Sequence, residues 1–155
     1  MKLVSACLCG FNCKYDGKNN INPYFRKLLQ EGQVIPVCPE QLGGLPTPRT
    51  PAEIAGGSGQ DVLTGSCRVV TRDGRDVTEN YIKGAYETLK LAQWAKADTA
   101  ILKSRSPSCG TGCIYDGSFS HRTHTADGVA AALLKANGIR VMDEDDYIEK
   151  GECQD

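Results

Sequence analysis

Apolar residues in this chain fall into short unbroken runs, separated by stretches in which they recur at helical spacing. The runs at 3–6 (Leu-Val-Ser-Ala), 34–37 (Val-Ile-Pro-Val), 99–102 (Thr-Ala-Ile-Leu) and 139–142 (Ile-Arg-Val-Met) read as strands. Runs without strict alternation belong to strands covered on both faces. Asn22-Pro23 opens a helix to about residue 30, with Phe25, Leu28 and Leu29 on one side and Gly32 past its end. Thr78 caps the longest predicted helix, to about residue 97, in which Ile82, Ala85, Leu89 and Ala92 share a stripe. A further helix is predicted over 125–137, closed by Gly138, and a short one over 144–150. This order predicts an α/β fold: one domain over residues 1–155, doubly wound, with a mostly parallel, Rossmann-like sheet. Pro36 sets the second strand at an edge or at its own end.

Three segments interrupt the alternation. Residues 67–70 and 75–77, joined through Asp73-Gly74, read as a small β-hairpin insertion. Residues 38–66 are rich in Gly and Pro, and residues 104–123 in Gly and Ser. Irregular stretches of that length in a compact domain are usually functional, so residues 38–66 are expected to be ordered and to cover a site.

Charge narrows the partners. A net charge of −1 gives no general attraction to nucleic acid or anionic membrane. No stretch is long and apolar enough to span a bilayer, and the first residues suit a strand better than a signal peptide. A soluble, cytoplasmic protein is expected, as a monomer or weak homodimer. Its eight cysteines are many for such a protein. A complete α/β pattern exists without them, so metal binding or catalysis is the better reading than a disulfide scaffold.

Three of these thiols follow predicted parallel strands: Cys7 after the first, Cys38 after the second, and Cys109 in the loop after the third. The carboxyl ends of parallel strands open on one sheet edge, where ligands bind. Three thiolates meeting there form a metal or cluster site with one coordination position open; the competing reading is that small thiols fill the core. Cys109 and Cys113 with His121 and His124 form a rival zinc pattern, which would make the chain a non-catalytic module. A thiol–disulfide redox role is weakened because no Cys-x-x-Cys is present.

Longer motifs extend this reading. Ser5-Ala6-Cys7-Leu8-x-Gly10 with Lys14-Tyr15-Asp16-Gly17, and Cys38-Pro39-Glu40 with Gly44-Leu45-Pro46-x-Pro48-Arg49, precede Leu102-Lys103-Ser104-x-Ser106-Pro107-Ser108-Cys109-Gly110. The run from Asp127 to Leu134 and Asn137-Gly138-Ile139 complete the set. In this order, over nearly the whole chain, they resemble the formerly uncharacterised family that contains the bacterial thiouracil desulfidases. The resemblance implies a 4Fe–4S cluster on Cys7, Cys38 and Cys109, with Cys9 and Cys13 as non-ligands. It also implies removal of sulfur from thiouracil without net redox chemistry. The expected partner is a small thiolated pyrimidine; a thiolated nucleotide or tRNA base is the alternative.

The remaining residues take roles around that chemistry. An open iron would accept the soft thiocarbonyl sulfur, and water would then add at the carbon. Glu40, two residues past Cys38, is placed to be the base, with burial expected to raise its pKa. Ser106 is expected to donate a hydrogen bond or relay a proton, or else to cap the Ser-Pro turn. Arg49 and Lys103 flank the mouth as substrate-binding or ion-pairing cations, and Tyr15 offers a ring for stacking. Asp16 shapes the Asp-Gly turn, and Asp143 to Asp146 read as a solvated helix start. Cys67 and Cys153 have no assigned role.

Overall fold

The computed structural model describes residues 1–151, so Cys153 lies outside the described residues. In chain order the strands are β1 (Lys2–Ser5), β2 (Val34–Val37), β3 (Ala52–Ile54), β4 (Val69–Thr71), β5 (Thr99–Leu102), β6 (Ile114–Tyr115), β7 (Thr123–His124) and β8 (Arg140–Asp143). The helices are α1 (Pro23–Gln30), α2 (Pro39–Leu42), α3 (Gly59–Leu63), α4 (Thr78–Trp94), α5 (Val129–Ala136) and α6 (Glu144–Gly151).

Among the described residues, four strands form the central sheet, in the order β2-β1-β5-β8, and every pairing is parallel. The pleat sorts their side chains onto two faces. Leu3, Val37, Ala100 and Leu102 pack with Tyr81, Ala85 and Leu89 of α4 and with Val129 and Leu133 of α5. Val4, Val34 and Ile101 face the other way, towards Phe25 of α1 and Tyr147 of α6. Phe25 is fully buried, which contributes about 2–3 kcal/mol of apolar transfer. Both faces are therefore covered, as the unbroken apolar runs predict. Pro36 sits on an edge strand, where its missing N–H leaves no gap in the ladder.

The insertion contains the predicted hairpin and adds a strand to it. β4 pairs antiparallel with β3, Ala52 opposite Thr71 and Ile54 opposite Val69. The Asp73-Gly74 turn forms, closed by Gly74 N–H to Thr71 O at 2.9 Å. Beyond it Thr71 N–H donates to Arg75 O and Val77 N–H to Val69 O, both at 2.9 Å, on either side of an antiparallel Val70–Asp76 bridge. The pairing stops at Val77 because α4 starts at once: Asp76 accepts from the Thr78 N–H at 2.9 Å. Thr78 is not the cap. Val77 holds that position, and the Thr78 hydroxyl accepts from Val69 N–H at 2.9 Å, tying α4 to β4. α5 starts later than predicted: Asp127 O accepts from Gly59 N–H at 2.7 Å and Gly128 N–H donates to Gly110 O at 2.8 Å, so these residues are engaged by neighbouring segments. Residues 123–124, ahead of the predicted helix, form β7.

Candidate metal centre and active site

With β2 and β5 on either side of β1, the chain winds first one way and then the other. The crevice at such a switch point opens at the carboxyl ends of the strands. Here it is a cavity of about 380 Å³. Its wall includes Cys7, Tyr15, Cys38, Glu40, Arg49, Lys103, Ser106 and Cys109. The eight residues given roles in the desulfidase reading of the sequence therefore lie along one crevice.

Each thiol has its own support. Beyond β1 the chain tightens into a 3-10 turn, Ala6–Cys9, that carries Cys7. Gly10 ends it at φ +106°, a conformation L side chains avoid, and a Cβ there would also strike Ile21. Cys38 is the N-cap of α2, and Pro39 supplies the first-turn φ without an N–H to satisfy. α2 is pressed on α4 by two glycines: a Cβ on Gly84 would lie 2.0 Å from Pro39 O, and one on Gly43 2.0 Å from Asn80 O. Cys109 sits in a loop bound to the start of α5, where Val129 and Ala130 N–H donate to the Pro107 and Ser108 carbonyls at 2.8 and 2.9 Å. Those carbonyls satisfy N–H groups that a side-chain cap would otherwise serve.

Glu40, in the first turn of α2, links the elements. Its Oε2 receives Arg49 Nη2 at 2.7 Å, in an ion pair whose side chains are 14 % and 7 % exposed. The same Nη2 donates to Cys13 O at 2.9 Å. Ser106 Oγ accepts from the Ser108 and Cys109 N–H groups, both at 3.1 Å, which leaves its own proton for Glu40 Oε1 at 3.4 Å. Ser106 thus caps the turn, as one sequence reading had it, and also donates to the Glu40 carboxylate.

Lys103 Nζ is engaged by Glu144 at 2.8 Å and by Ser104 Oγ at 2.8 Å. Glu144 is thus not part of a solvated acidic run, since it is 9 % exposed. Burial opposes its charge, but the Lys103 hydrogen bond and backbone N–H groups outweigh burial and hold it below the usual carboxylate range. Asp143 instead caps α6, accepting from Asp146 N–H at 2.8 Å. Tyr15 is 48 % exposed beside the Lys14 ammonium, and Asp16 accepts from Lys18 N–H in the Asp-Gly turn, as read from the sequence.

One thiol set aside on sequence grounds stands inside the site. Cys13 lines the cavity and is 3 % exposed, and its carbonyl accepts from the Cys38 thiol at 3.9 Å. The adjoining Cys13 thiol is the main influence that lowers Cys7 to about 7, against burial, and it lowers Cys38 likewise. Burial, then Glu40 and Cys38, push Cys109 well above the ordinary thiol range. Cys9 is buried elsewhere, and burial raises it to about 11. Asn20, whose Nδ2 lies 3.5 Å from Cys7 Sγ, carried no signal in the sequence. The position of Cys13 next to Lys14-Tyr15-Asp16-Gly17 was the clue available.

The zinc pattern does not assemble. His121 packs on Tyr115, and His124 pairs with Ile114 in the β6–β7 ladder. Among the described residues, no three His, Cys, Asp or Glu side chains converge as a single metal ion requires. A multi-iron cluster makes a different demand, because its thiolates bind separate irons. All seven described cysteines are free.

A family model described as 2-thiouracil desulfurase matches residues 3–146. A protein of Bacillus subtilis (strain 168), the uncharacterized protein YbbK, is 51% identical over 146 residues, covering 94% of this chain and 97% of that protein. The solved structure of the 4Fe–4S-dependent thiouracil desulfidase TudS superposes with a TM-score of 0.85 at 39% identity, covering 98% of this chain and 95% of that one. With the match spanning the strand ends, the cavity and the loops that line it, the chain belongs to the 2-thiouracil desulfurase family.

Proposed function

We propose that this protein is a non-redox, carbon–sulfur bond-cleaving desulfidase of the hydrolase or lyase type, acting on a thiolated pyrimidine. In this reading Cys7, Cys38 and Cys109 hold a 4Fe–4S cluster, the cofactor on which TudS depends by its name. One observation carries the proposal: thiols from positions 7, 38 and 109 line a single cavity together with the Glu40–Arg49 pair and Ser106. The donor chemistry fits such a group. Burial and neighbouring negative charge oppose ionisation of Cys109, and a cationic cluster is the partner that reverses this.

When bound, a cluster on three thiolates supplies a Lewis-acidic iron with one position open to a soft sulfur. The chain's own groups do the rest. Glu40 takes a proton from the water that adds to the thiocarbonyl carbon, and Arg49 holds the carboxylate in place. Ser106, its N–H donors fixed, carries that proton between Glu40 and the substrate. The exchange, C=S plus water giving C=O plus hydrogen sulfide, balances without an electron donor.

Free 2-thiouracil or 4-thiouracil is the first substrate expected. A thiolated nucleotide or tRNA base is the second, favoured by Arg72 and Arg105, which also line the cavity with no carboxylate partner among the described residues. Anaerobic reconstitution with iron and sulfide, followed by sulfide release from free base, nucleoside monophosphate and thiolated RNA, tests both. A brown protein that turns over, with Cys7→Ala, Cys38→Ala and Cys109→Ala each losing colour and activity, is the expected outcome. A colourless protein with stoichiometric zinc, or cysteine variants that keep both properties, would overturn it.

A further inference from the structure

We propose that residues 116–122 form a fixed flap whose Phe119 ring is the face on which the substrate base stacks, and that Glu53 is the residue positioning that flap. This rests on the desulfidase reading and adds to it the surface that selects the ring. The flap joins β6 to β7 and is closed at its base by Asp116 N–H to Arg122 O at 3.0 Å. It reaches back over β3 from a distant part of the chain.

Glu53 on β3 makes that connection. It is 8 % exposed, and one oxygen, Oε1, accepts from Gly117 N–H at 3.0 Å and Phe119 N–H at 3.1 Å. An acidic side chain on a buried strand position needs such donors. Here both come from the flap. The backbones touch as well: a Cβ on Gly117 would lie 2.5 Å from Ile54 O, and only glycine fits there at φ +97°.

Two further features set the flap's aromatic surface. Phe119 and His121 hold φ of +56° and +63°, the left-handed region that non-glycine residues occupy at a cost and chiefly at functional sites. The Arg72 guanidinium stands 5.8 Å from the centre of the Phe119 ring, and Tyr115 meets His121 edge-to-face at 6.4 Å. Glu53, Arg72, Tyr115, Phe119 and His121 all line the cavity that holds the three thiols. The cysteines and Glu40 supply groups for sulfur and water, while Phe119 supplies an apolar face of the kind a pyrimidine stacks on.

The test uses reconstituted, full-length protein. Phe119→Ala removes the ring. Stacking of a base on an aromatic residue is lost with a rise in KM of about tenfold or more, with kcat nearly unchanged, iron content and visible absorption as in wild type, and Phe119→Tyr close to wild type. Glu53→Ala is expected to give the same KM-selective loss, and Glu53→Gln, which keeps an acceptor oxygen, to restore it. Equilibrium dialysis of 2-thiouracil reads binding without turnover. Unchanged KM and dialysis affinity in Phe119→Ala, or equal defects in Glu53→Gln and Glu53→Ala, would overturn the inference. Wild-type protein that never releases sulfide would instead fail the desulfidase reading.

Discussion

Ser106 shows how one hydroxyl does two jobs in a crowded wall. Its oxygen holds the Cys109 loop through two backbone N–H groups, and its proton faces Glu40. Ser106→Ala therefore removes both. Turnover should fall about 100-fold, the usual contribution of a positioned proton-transfer group, and stability by about 1 kcal/mol for the lost turn bonds. Sulfide-release kinetics and urea titration would measure the two losses; a variant with full kcat would take Ser106 out of the proton path. At this scale the sequence was informative where a residue stood inside a fixed motif, as Glu40 after Cys38-Pro39 does. For Cys13 the adjoining motif was the one clue, because spacing along a loop does not tell which of three nearby thiols lines the cavity. Arg49 and Lys103 were legible as site cations, but their partners Glu40 and Glu144 lie 9 and 41 residues away.

The Cys38–Glu40 corner depends on how closely α2 and α4 approach. Gly84→Ala would set a methyl 2.0 Å from the Pro39 carbonyl, so the two helices must separate. Overpacking of this kind costs about 1–3 kcal/mol, and the displaced helix carries one thiol and the base together. A lowered denaturation midpoint together with lower iron content after reconstitution is expected. An unchanged midpoint would mean that the contact is not tight. The long helices and the four parallel strands were readable because each presents a repeated apolar pattern. The two small antiparallel sheets were not, since strands of two or three residues contain no period. Their pairing is decided by tertiary contacts such as Val69 with Thr78 and Glu53 with the flap.

Across the whole molecule, the Lys103–Glu144 pair fastens the last helix to the loop that leads towards Ser106 and Cys109. Glu144 is held below its ordinary pKa when folded, so its contribution is present above the unfolded value of about 4.3 and is lost as acid protonates the folded group. Glu144→Gln should be less stable than wild type at pH 7 and should lose less on acidification below about pH 4. Urea midpoints across that range would check this; parallel curves for the two proteins would show that the pair does not govern acid behaviour. The doubly wound topology was legible from element order, but its switch point became a site only once the loops were seen to converge. That winding also imposes a timetable. A ribosome delivers the first two proposed ligands within 38 residues, while the third emerges only after a 17-residue helix and another strand. A nascent chain can thus offer iron two thiols early, and a closed three-point cradle only when most of the polypeptide has been made.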